Sequence, residues 1–472
     1  IFVLGYACIA LEHPLKINKT ATALFLAVAL WFILATGGAS FDAPAAAYKA
    51  FLAEWKPEVA GAAPPTFIAW LTEVPLIRQL GDVSQILFYL LGAMTVVELV
   101  DAHGGFRLIT DRIRTRKKVA LLWLVGFITF FMSAVLDNLT TAIVLVALLR
   151  KLIADRKERW FFASIVILAA NAGGAWSPIG DVTTIMLWVA NKYTSADIIA
   201  RTIAASTVSL VVPLGVLSFL LKGEVARPAE TDANAAGGGA AGAGANSHAA
   251  GAKEITPAQR NLVFALGVGA LLFVPVFKAL THLPPWLGIM AGVSVLWVAT
   301  GIMHRQRVDG TVAGDDSNRY TLAAALNRID TPSILFFLGI LMAVNALATG
   351  GHLALLSQTL DQLPLADPGK YYLITTLIGV LSSIVDNVPL VAGAMGMYSA
   401  QFAGGHWFWE FLAYAAGTGG SILIIGSAAG VAVMGLERID FLWYLRKISW
   451  LALLGYLAGA ATYIAQQALL GG

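Results

Sequence analysis

The chain has 472 residues, of which 58% are hydrophobic and 12% are charged, and its formal net charge is +3. Soluble domains usually carry about 25% charged residues, so the composition points away from a soluble protein. The small net charge, with no basic stripe among aromatic residues, argues against a nucleic-acid partner. The single cysteine, Cys8, excludes an internal disulfide and a cysteine-based metal site.

Apolar runs that are long enough, or nearly long enough, to cross a bilayer recur along the chain. Examples are residues 22–37, 83–97 and 333–348. A helix needs roughly 20 residues to cross the hydrocarbon core. The sequence therefore predicts an all-α polytopic membrane protein, in which residues 1–81 form N-terminal scaffold helices and an extracytoplasmic amphipathic segment over 42–80.

The first repeat is predicted over residues 82–222 and contains a re-entrant helical hairpin. Two basic stretches, 107–118 and 150–159, should both be cytoplasmic because Lys and Arg in short loops favour that side. The intervening residues 119–149 are too many for one ordinary span and too few for two. We therefore predict two half-length helices with a tip at Leu136–Asp137–Asn138.

A broken transmembrane helix over 160–192 follows, because "NAGGAWSPIGD" interrupts its apolar run. Residues 223–258 contain a low-complexity Gly/Ala tract and are predicted to be a flexible cytoplasmic linker. Residues 259–307 are predicted to form scaffold helices, two further spans of the membrane.

The second repeat is predicted over 308–472, with a hairpin at 371–400 and a broken helix at 408–435. The flanks of this hairpin hold one lysine, Lys370, and no arginine within ten residues, so it should open to the outer face. The two repeats therefore have inverted topology.

The motif S-x-x-x-D-N-[LV] occurs once in each repeat. Ser133, Asp137 and Asn138 match Ser382, Asp386 and Asn387. A glycine pair follows 36 residues after Asp137 and 33 residues after Asp386. Inverted repeats with paired interrupted helices are typical of secondary transporters, whose sites lie near the bilayer midplane.

The carboxylates predict the sign of the substrate. Asp137 and Asp386 lie at the two tips, Asp181 lies at the first break, and no Lys or Arg falls within ten residues of Asp137. Na⁺ prefers oxygen ligands, so we predict a sodium site near Asp137, Asn138 and Asn387. Protons and cations compete for a buried carboxylate, which predicts a cation/proton exchanger rather than an enzyme, with no cofactor.

Several other polar residues have two interpretations each. Glu98 and His103 are either an interfacial cluster with Asp101 or a pH-sensing group. Asn171 either caps a half-helix or binds the ion, whereas Ser421 and Ser427 are better explained as caps. Asp330 and Thr331 resemble a helix start, in which Thr331 caps and Pro332 takes the first helical position.

The chain resembles the NhaD-type sodium/proton antiporters of the ion transporter superfamily from about residue 80 to 470. Five stretches carry this resemblance in a fixed order: "LDNLTT", "NAGGAWSPIGDVTT", "NRIDTPSILFF", "SSIVDNVPL" and "GTGGSILIIGSAAGV". One departure is the Gly/Ala-rich loop at 233–252, which we do not expect to affect transport.

The resemblance implies a homodimer with scaffold and mobile transport domains, an elevator-like mechanism, Na⁺ and Li⁺ as substrates, activity at alkaline pH, and a bacterial inner membrane. It also implies a set of functional polar positions: Ser133, Asp137, Asn138, Asn171, Asp181, Thr183, Asp330, Thr331, Ser382, Asn387, Ser421 and Ser427.

Three other functions were weighed against exchange. A dicarboxylate or arsenite carrier of the same superfamily is the main alternative, although an anion site would favour neutral residues over two tip aspartates. An intramembrane aspartyl protease would need G-x-G-D, and Pro178 replaces the first glycine in "SPIGD". A structural scaffold would have no reason to keep three intramembrane acids.

Overall fold

The computed structural model describes residues 1–10, 12–55, 64–110, 113, 115–227, 255–305 and 320–470. Most of the predicted Gly/Ala linker and part of the basic stretch 107–118 therefore lie outside the described residues. Within the described ranges the protein is helical, and its one β-type contact is an isolated bridge between Lys117 and Glu224. The all-α class is confirmed.

Helices follow one another with short connections throughout the described chain. In the first half their bounds are Phe2–Ala10, Glu12–Leu15, Lys19–Gly37, Asp42–Glu54, Phe67–Leu71, Ile77–Ala102, Arg107–Thr110, Lys118–Ser133, Asn138–Leu152, Arg156–Ala175, Val182–Val189 and Ser195–Leu220. In the second half they are Pro257–Thr281, Pro285–Arg305, Leu322–Leu326, Thr331–Thr349, His352–Asp361, Gly369–Leu381, Asn387–Tyr398, Trp407–Gly419, Ala428–Glu437, Phe441–Lys447 and Ser449–Leu470.

Six helical stretches in the described residues are long and apolar enough to cross a membrane. They are Lys19–Ser40, Phe67–Ala102, Ser195–Leu220, Pro257–Thr281, Pro285–Met303 and Thr331–Thr349. A pair bent by 51°, Phe441–Lys447 with Ser449–Leu469, makes up to seven. The multi-pass prediction is confirmed.

The second of these stretches begins earlier than predicted. Helix runs without interruption from Phe67 to Ala102, and a π-helical turn over Thr72–Leu76 accommodates Pro75. Such a turn tolerates proline, which has no N–H to donate. Residues 67–80 therefore continue the apolar span instead of belonging to a separate amphipathic segment.

The chain divides into two compact units that do not follow the linear order of the repeats. Unit 1 comprises residues 1–88, 330–374 and 388–404, and unit 2 comprises residues 89–329, 375–387 and 405–472. The domain boundaries drawn along the sequence stay a prediction.

Unit 1 is built on the packing of helix Lys19–Gly37 against helix Thr331–Thr349. The Thr20 hydroxyl donates to the Pro332 carbonyl oxygen at 3.0 Å, and the Trp31 indole nitrogen donates to the Met342 carbonyl oxygen at 3.0 Å. Side-chain hydrogen bonds of this kind help to join helices in lipid, where no hydrophobic force drives helix association.

Unit 2 contains the predicted interruptions. We call residues 176–181, between helices Arg156–Ala175 and Val182–Val189, the first break, and residues 420–427, between helices Trp407–Gly419 and Ala428–Glu437, the second break. The two helices on either side of residues 134–137 have 16 and 15 residues, fewer than the roughly 20 that a span needs.

Candidate functional site

Asp181 is the buried carboxylate at the end of the first break. It caps helix Val182–Val189, and its Oδ1 accepts hydrogen bonds from both the backbone N–H and the hydroxyl of Thr183, each at 2.8 Å. The first N–H groups of a helix have no partner within the helix, which favours an aspartate at this position. Only 1% of Asp181 is exposed.

The asparagines of the two D-N motifs both contact Asp181. Asn138 donates from Nδ2 to Asp181 Oδ2 at 2.6 Å, and Asn387 donates from Nδ2 to Asp181 Oδ1 at 3.4 Å. Each asparagine is the first residue of the helix that follows its motif. One carboxylate therefore joins the two motifs, and Asn387 reaches it from 206 positions away in sequence.

Asn171 joins this arrangement to the second break. Its Oδ1 accepts from Asn138 Nδ2 at 3.0 Å, and its Nδ2 donates to the hydroxyls of Ser421 and Ser427 at 2.8 and 2.9 Å. We call the connected set the polar cluster: Asn138, Asn171, Asp181, Thr183, Asn387, Ser421 and Ser427. All of it lies in unit 2.

Two details of the predicted breaks need correction. Asn171 lies inside helix Arg156–Ala175, and the break begins at Trp176, so Asn171 does not cap a half-helix. Ser427 does cap its helix, accepting from the Gly430 N–H at 3.1 Å, whereas Ser421 lies within the break.

Asp137 adopts a backbone conformation that is rare outside glycine, with φ at 126° and ψ at 161°. Such a conformation costs on the order of 1–3 kcal/mol and occurs mostly at functional positions. The half-buried carboxylate of Asp137 accepts from the Thr140 N–H and hydroxyl, both at 2.8 Å, and so caps helix Asn138–Leu152.

Asp181 lies within electrostatic reach of two other carboxylates. Asp181 interacts with both Asp137 and Asp386, and Asp386 is half-buried. In the part of the chain that the structure describes, no Lys or Arg forms an ion pair with Asp137 or Asp181. The hydrogen-bond donors to Asp181 are neutral amides and hydroxyls.

The two motif serines donate hydrogen bonds to the helices that precede the two breaks. Ser133 donates to the Ala170 carbonyl oxygen at 2.5 Å, and Ser382 donates to the Ala416 carbonyl oxygen at 2.8 Å. Both hydroxyls are fully buried. Their part in ion binding stays a prediction, since both hydroxyls donate to backbone carbonyl oxygens.

Glycines bring the backbones into direct contact at matching places in the two predicted repeats. A Cβ on Gly173 would lie 2.2 Å from the Phe130 carbonyl oxygen, and one on Gly419 would lie 1.9 Å from the Gly379 carbonyl oxygen. No side chain fits at either position. By the same correspondence, Asp181 in the first break matches Ser427 in the second, and each caps the helix that follows.

Glu98 and His103 lie near the end of the helix Ile77–Ala102, in unit 2. The His103 ring is buried, with Nδ1 2.7 Å from the Leu99 carbonyl oxygen, and it packs against the Tyr320 ring. Glu98 is half-buried and interacts electrostatically with Asp101 and Arg328. A pH-sensing role for these residues stays a prediction.

Asp330 and Thr331 lie in unit 1, whereas the polar cluster lies in unit 2. The capping prediction for them was wrong in detail, because Asp330 and not Thr331 caps helix Thr331–Thr349. The exposed Asp330 carboxylate accepts from the Ser333 N–H at 3.3 Å and from the Ser333 hydroxyl at 2.5 Å. Their predicted part in transport stays a prediction.

Besides Glu410, sequence reasoning missed the buried carboxylate of Glu437. It ends helix Ala428–Glu437 and forms ion pairs with Arg150 and Arg159, which we had used only to orient the chain. The available signal was a glutamate at the end of the apolar stretch "AAGVAVMGLE".

Comparison with known proteins places the chain in a family. The citrate transporter family matches residues 6–419. Sodium/proton antiporter 1 of Arabidopsis thaliana is 44% identical over 98% of this chain and 71% of its own length. The chain belongs to the citrate transporter family, among the NhaD-type antiporters.

Two further relatives span most of both chains. Sodium/proton antiporter 2 of Arabidopsis thaliana is 42% identical over 98% of each chain. The Na(+)/H(+) antiporter NhaD of Alkalimonas amylolytica is 28% identical over 98% of this chain and 89% of its own length. The NhaD-type resemblance read from the sequence is confirmed.

Proposed function

We propose that this protein exchanges Na⁺, or Li⁺, for H⁺ across a membrane as a secondary transporter. The observation that carries the proposal is Asp181, a buried carboxylate surrounded by neutral donors. A buried charge without a partner of opposite sign costs several kcal/mol. A sodium ion or a proton at the polar cluster would remove that cost.

Exchange would follow from competition between Na⁺ and H⁺ for the Asp181 carboxylate. A bound cation favours the ionised carboxylate, whereas desolvation favours the protonated one. Binding of one therefore displaces the other, and a cycle in which the site opens to alternate sides would couple their movements. The amide and hydroxyl oxygens of Asn138, Asn171 and Ser427 are the type of ligand that a hard cation prefers.

The family description names citrate, which makes an anion carrier the alternative. Asp181 and the two carboxylates within its electrostatic reach would repel citrate, and Asp137 and Asp181 have no Lys or Arg partner in the described residues. The names of the relatives at 44% and 42% identity also support exchange of sodium for protons.

The test is radioactive sodium uptake into proteoliposomes under an imposed pH gradient. We expect uptake by the native protein that Li⁺ inhibits and citrate does not, and loss of uptake in Asp137→Asn and Asp181→Asn. Uptake of labelled citrate without sodium/proton exchange would establish the anion carrier instead. Full sodium uptake by Asp181→Asn would contradict our assignment of the site.

We also propose that the two repeats are inverted in the membrane, with hairpins that enter and leave on one side. The matched contacts of Gly173 with Phe130 and of Gly419 with Gly379 support an internal repeat, and the loop charges support the inversion. The resemblance to NhaD-type antiporters also implies an elevator-like movement, a homodimer and activation at alkaline pH.

Crosslinking of single cysteines in cells tests both the membrane topology and the dimer.

The cellular membrane is a separate part of the proposal. A bacterial inner membrane is supported by NhaD relatives from four bacteria, whereas the two relatives above 40% identity come from a plant. Growth rescue of a sodium-sensitive bacterium by this chain would support function in a bacterial inner membrane.

A further inference from the structure

Glu437 lies at the centre of a cluster of arginines at the end of helix Ala428–Glu437. Arg150 donates from Nε to Glu437 Oε1, and Arg159 donates from Nε to Glu437 Oε2, both at 2.7 Å. The glutamate is 2% exposed. The two guanidinium groups carry two positive charges, one more than the single negative charge of the Glu437 carboxylate.

Further arginine contacts reach the backbone at the same helix end. Arg156 donates from Nε to the Glu437 carbonyl oxygen at 3.3 Å and from Nη2 to the Arg438 carbonyl oxygen at 3.2 Å. Arg150 also donates to the Leu436 carbonyl oxygen. Carbonyl groups at a helix C-terminus carry a partial negative charge and attract cations, but they do not neutralise three guanidinium groups.

These side chains line a cavity of about 250 Å³, which we call the arginine pocket: Arg150, Arg156, Arg159, Leu436, Glu437 and Arg438. Its four arginines and one glutamate leave three positive charges in excess. Guanidinium groups bind phosphate through paired hydrogen bonds. Excess charge in a cavity of this size favours an anion with several oxygen atoms.

The chain that follows the arginine pocket has the features of an interfacial helix. In helix Phe441–Lys447, Leu442 is 52% exposed and Leu445 is 41% exposed, and the last turn carries Arg446 and Lys447. This helix meets the following long apolar helix at a bend of 51°. Exposed leucines beside basic residues are typical of helices that lie in the headgroup region.

Aromatic contacts join this interfacial helix to the wall of the arginine pocket. The Trp443 ring packs against the Trp160 ring at 5.1 Å, and the Arg156 guanidinium lies 5.6 Å from the centre of the Trp160 ring. The Trp160 indole nitrogen donates to the Glu437 carbonyl oxygen at 3.1 Å. Tryptophan is enriched where the bilayer meets water.

We propose that the arginine pocket binds the phosphate group of an anionic phospholipid in the cytoplasmic leaflet. The basic stretch 150–159 is expected on that side, where anionic headgroups attract basic residues. A free phosphate offers the same oxygens, but the exposed leucines favour a ligand that also has acyl chains. This inference does not depend on which ion the protein transports.

The test compares lipids on the purified full chain in detergent. Native mass spectrometry would count bound phosphatidylglycerol and phosphatidylcholine, and thermal unfolding would be followed with each lipid or with inorganic phosphate. We expect phosphatidylglycerol to bind and to raise the melting temperature, and neither phosphatidylcholine nor phosphate to do so. Equal stabilisation by phosphate would overturn the lipid assignment.

The variant Arg156→Gln/Arg438→Gln removes two arginines without touching the ion pairs of Glu437. We expect its affinity for phosphatidylglycerol to fall about 30-fold, since each basic residue that contacts the headgroup contributes about 1 kcal/mol. The matched control is Lys151→Gln/Lys157→Gln, which removes the same charge from exposed neighbours outside the pocket. An equal loss in both variants would contradict a specific pocket.

The single variant Arg438→Gln provides a second test in case the double variant does not fold. Arg438 is exposed, so its loss should leave the melting temperature without lipid unchanged. We expect a roughly fivefold loss of affinity for phosphatidylglycerol, following the same energy for each basic residue. Unchanged affinity in this folded variant would overturn the inference.

Discussion

Asp181 and Glu437 are two buried carboxylates in unit 2 with opposite surroundings. Asp181 accepts hydrogen bonds from neutral groups of Asn138, Thr183 and Asn387, whereas Glu437 forms ion pairs with Arg150 and Arg159. Both side chains are almost inaccessible to solvent. Burial alone therefore does not distinguish a transport site from a structural ion pair.

The difference lies in how each charge is balanced. Permanent arginines balance Glu437, so a mobile cation would add nothing there, and the excess positive charge favours an anion. At Asp181 the protein provides no fixed counter-charge in the described residues, so an exchangeable cation or proton has to provide it. Four substitutions test this contrast, beginning with the largest expected effect.

Asp181→Ser places a serine at the end of the first break, as Ser427 stands at the end of the second break. A serine keeps the oxygen that caps helix Val182–Val189 but removes the negative charge. We expect sodium uptake to fall at least about 100-fold, equivalent to about 3 kcal/mol, with a melting temperature close to that of the native protein. Uptake within twofold of native would show that Asp181 is only a cap.

Glu437→Gln should act on stability instead. Removing one partner from a buried ion pair leaves uncompensated charge and typically costs about 3–5 kcal/mol. We expect a large fall in melting temperature in detergent, while each folded molecule still exchanges sodium for protons. Glu158→Gln is the control, because its pair with Lys118 is more exposed and should contribute less than about 1 kcal/mol.

Asn138→Ala removes a donor at 2.6 Å from Asp181 while leaving the carboxylate in place. A hydrogen bond to a charged group contributes about 1.5–3 kcal/mol, so we expect the apparent sodium affinity to fall about tenfold or more in uptake assays. Thr141→Ala, three positions after Asn138 in the same helix and without a hydrogen bond to Asp181 in the described residues, is the control. An equal effect of the two changes would contradict a direct role for Asn138.

Ser427→Ala should have the smallest effect of the four. It removes the cap of helix Ala428–Glu437 and one acceptor for Asn171, a loss of about 1 kcal/mol. We expect a melting temperature a few degrees lower and sodium uptake reduced by less than tenfold. A loss of uptake as large as that of Asp181→Ser would mean that Ser427 binds the ion directly.

Local signals in the sequence predicted much of the architecture. Glycine pairs and polar residues inside apolar runs marked both breaks, and each D-N pair marked a position where a new helix begins. These features depend on neighbouring residues, so they can be read without knowing the fold. The extension of the second span back to Phe67 was missed, because Pro75 and Glu73 look like a helix boundary in sequence.

The contacts that define the site could not be read in the same way. Asn171 contacts Ser421 and Ser427 across 250 and 256 residues, and no local pattern specifies such pairs. The sequence suggested Asp137 as the centre of the sodium site, whereas both motif asparagines contact Asp181. The positional equivalence of Asp181 and Ser427 also depends on the structure, in which each caps the helix that follows its break.

The glycine contacts in the helices before the two breaks have a consequence for the surrounding lipid. Gly173 and Gly419 let main chains touch directly, so this contact does not depend on how acyl chains cover side chains. Changes in acyl-chain length or saturation should therefore leave the polar cluster intact. Occupancy of the arginine pocket should instead depend on the headgroup composition of the membrane, since the headgroup is its proposed ligand.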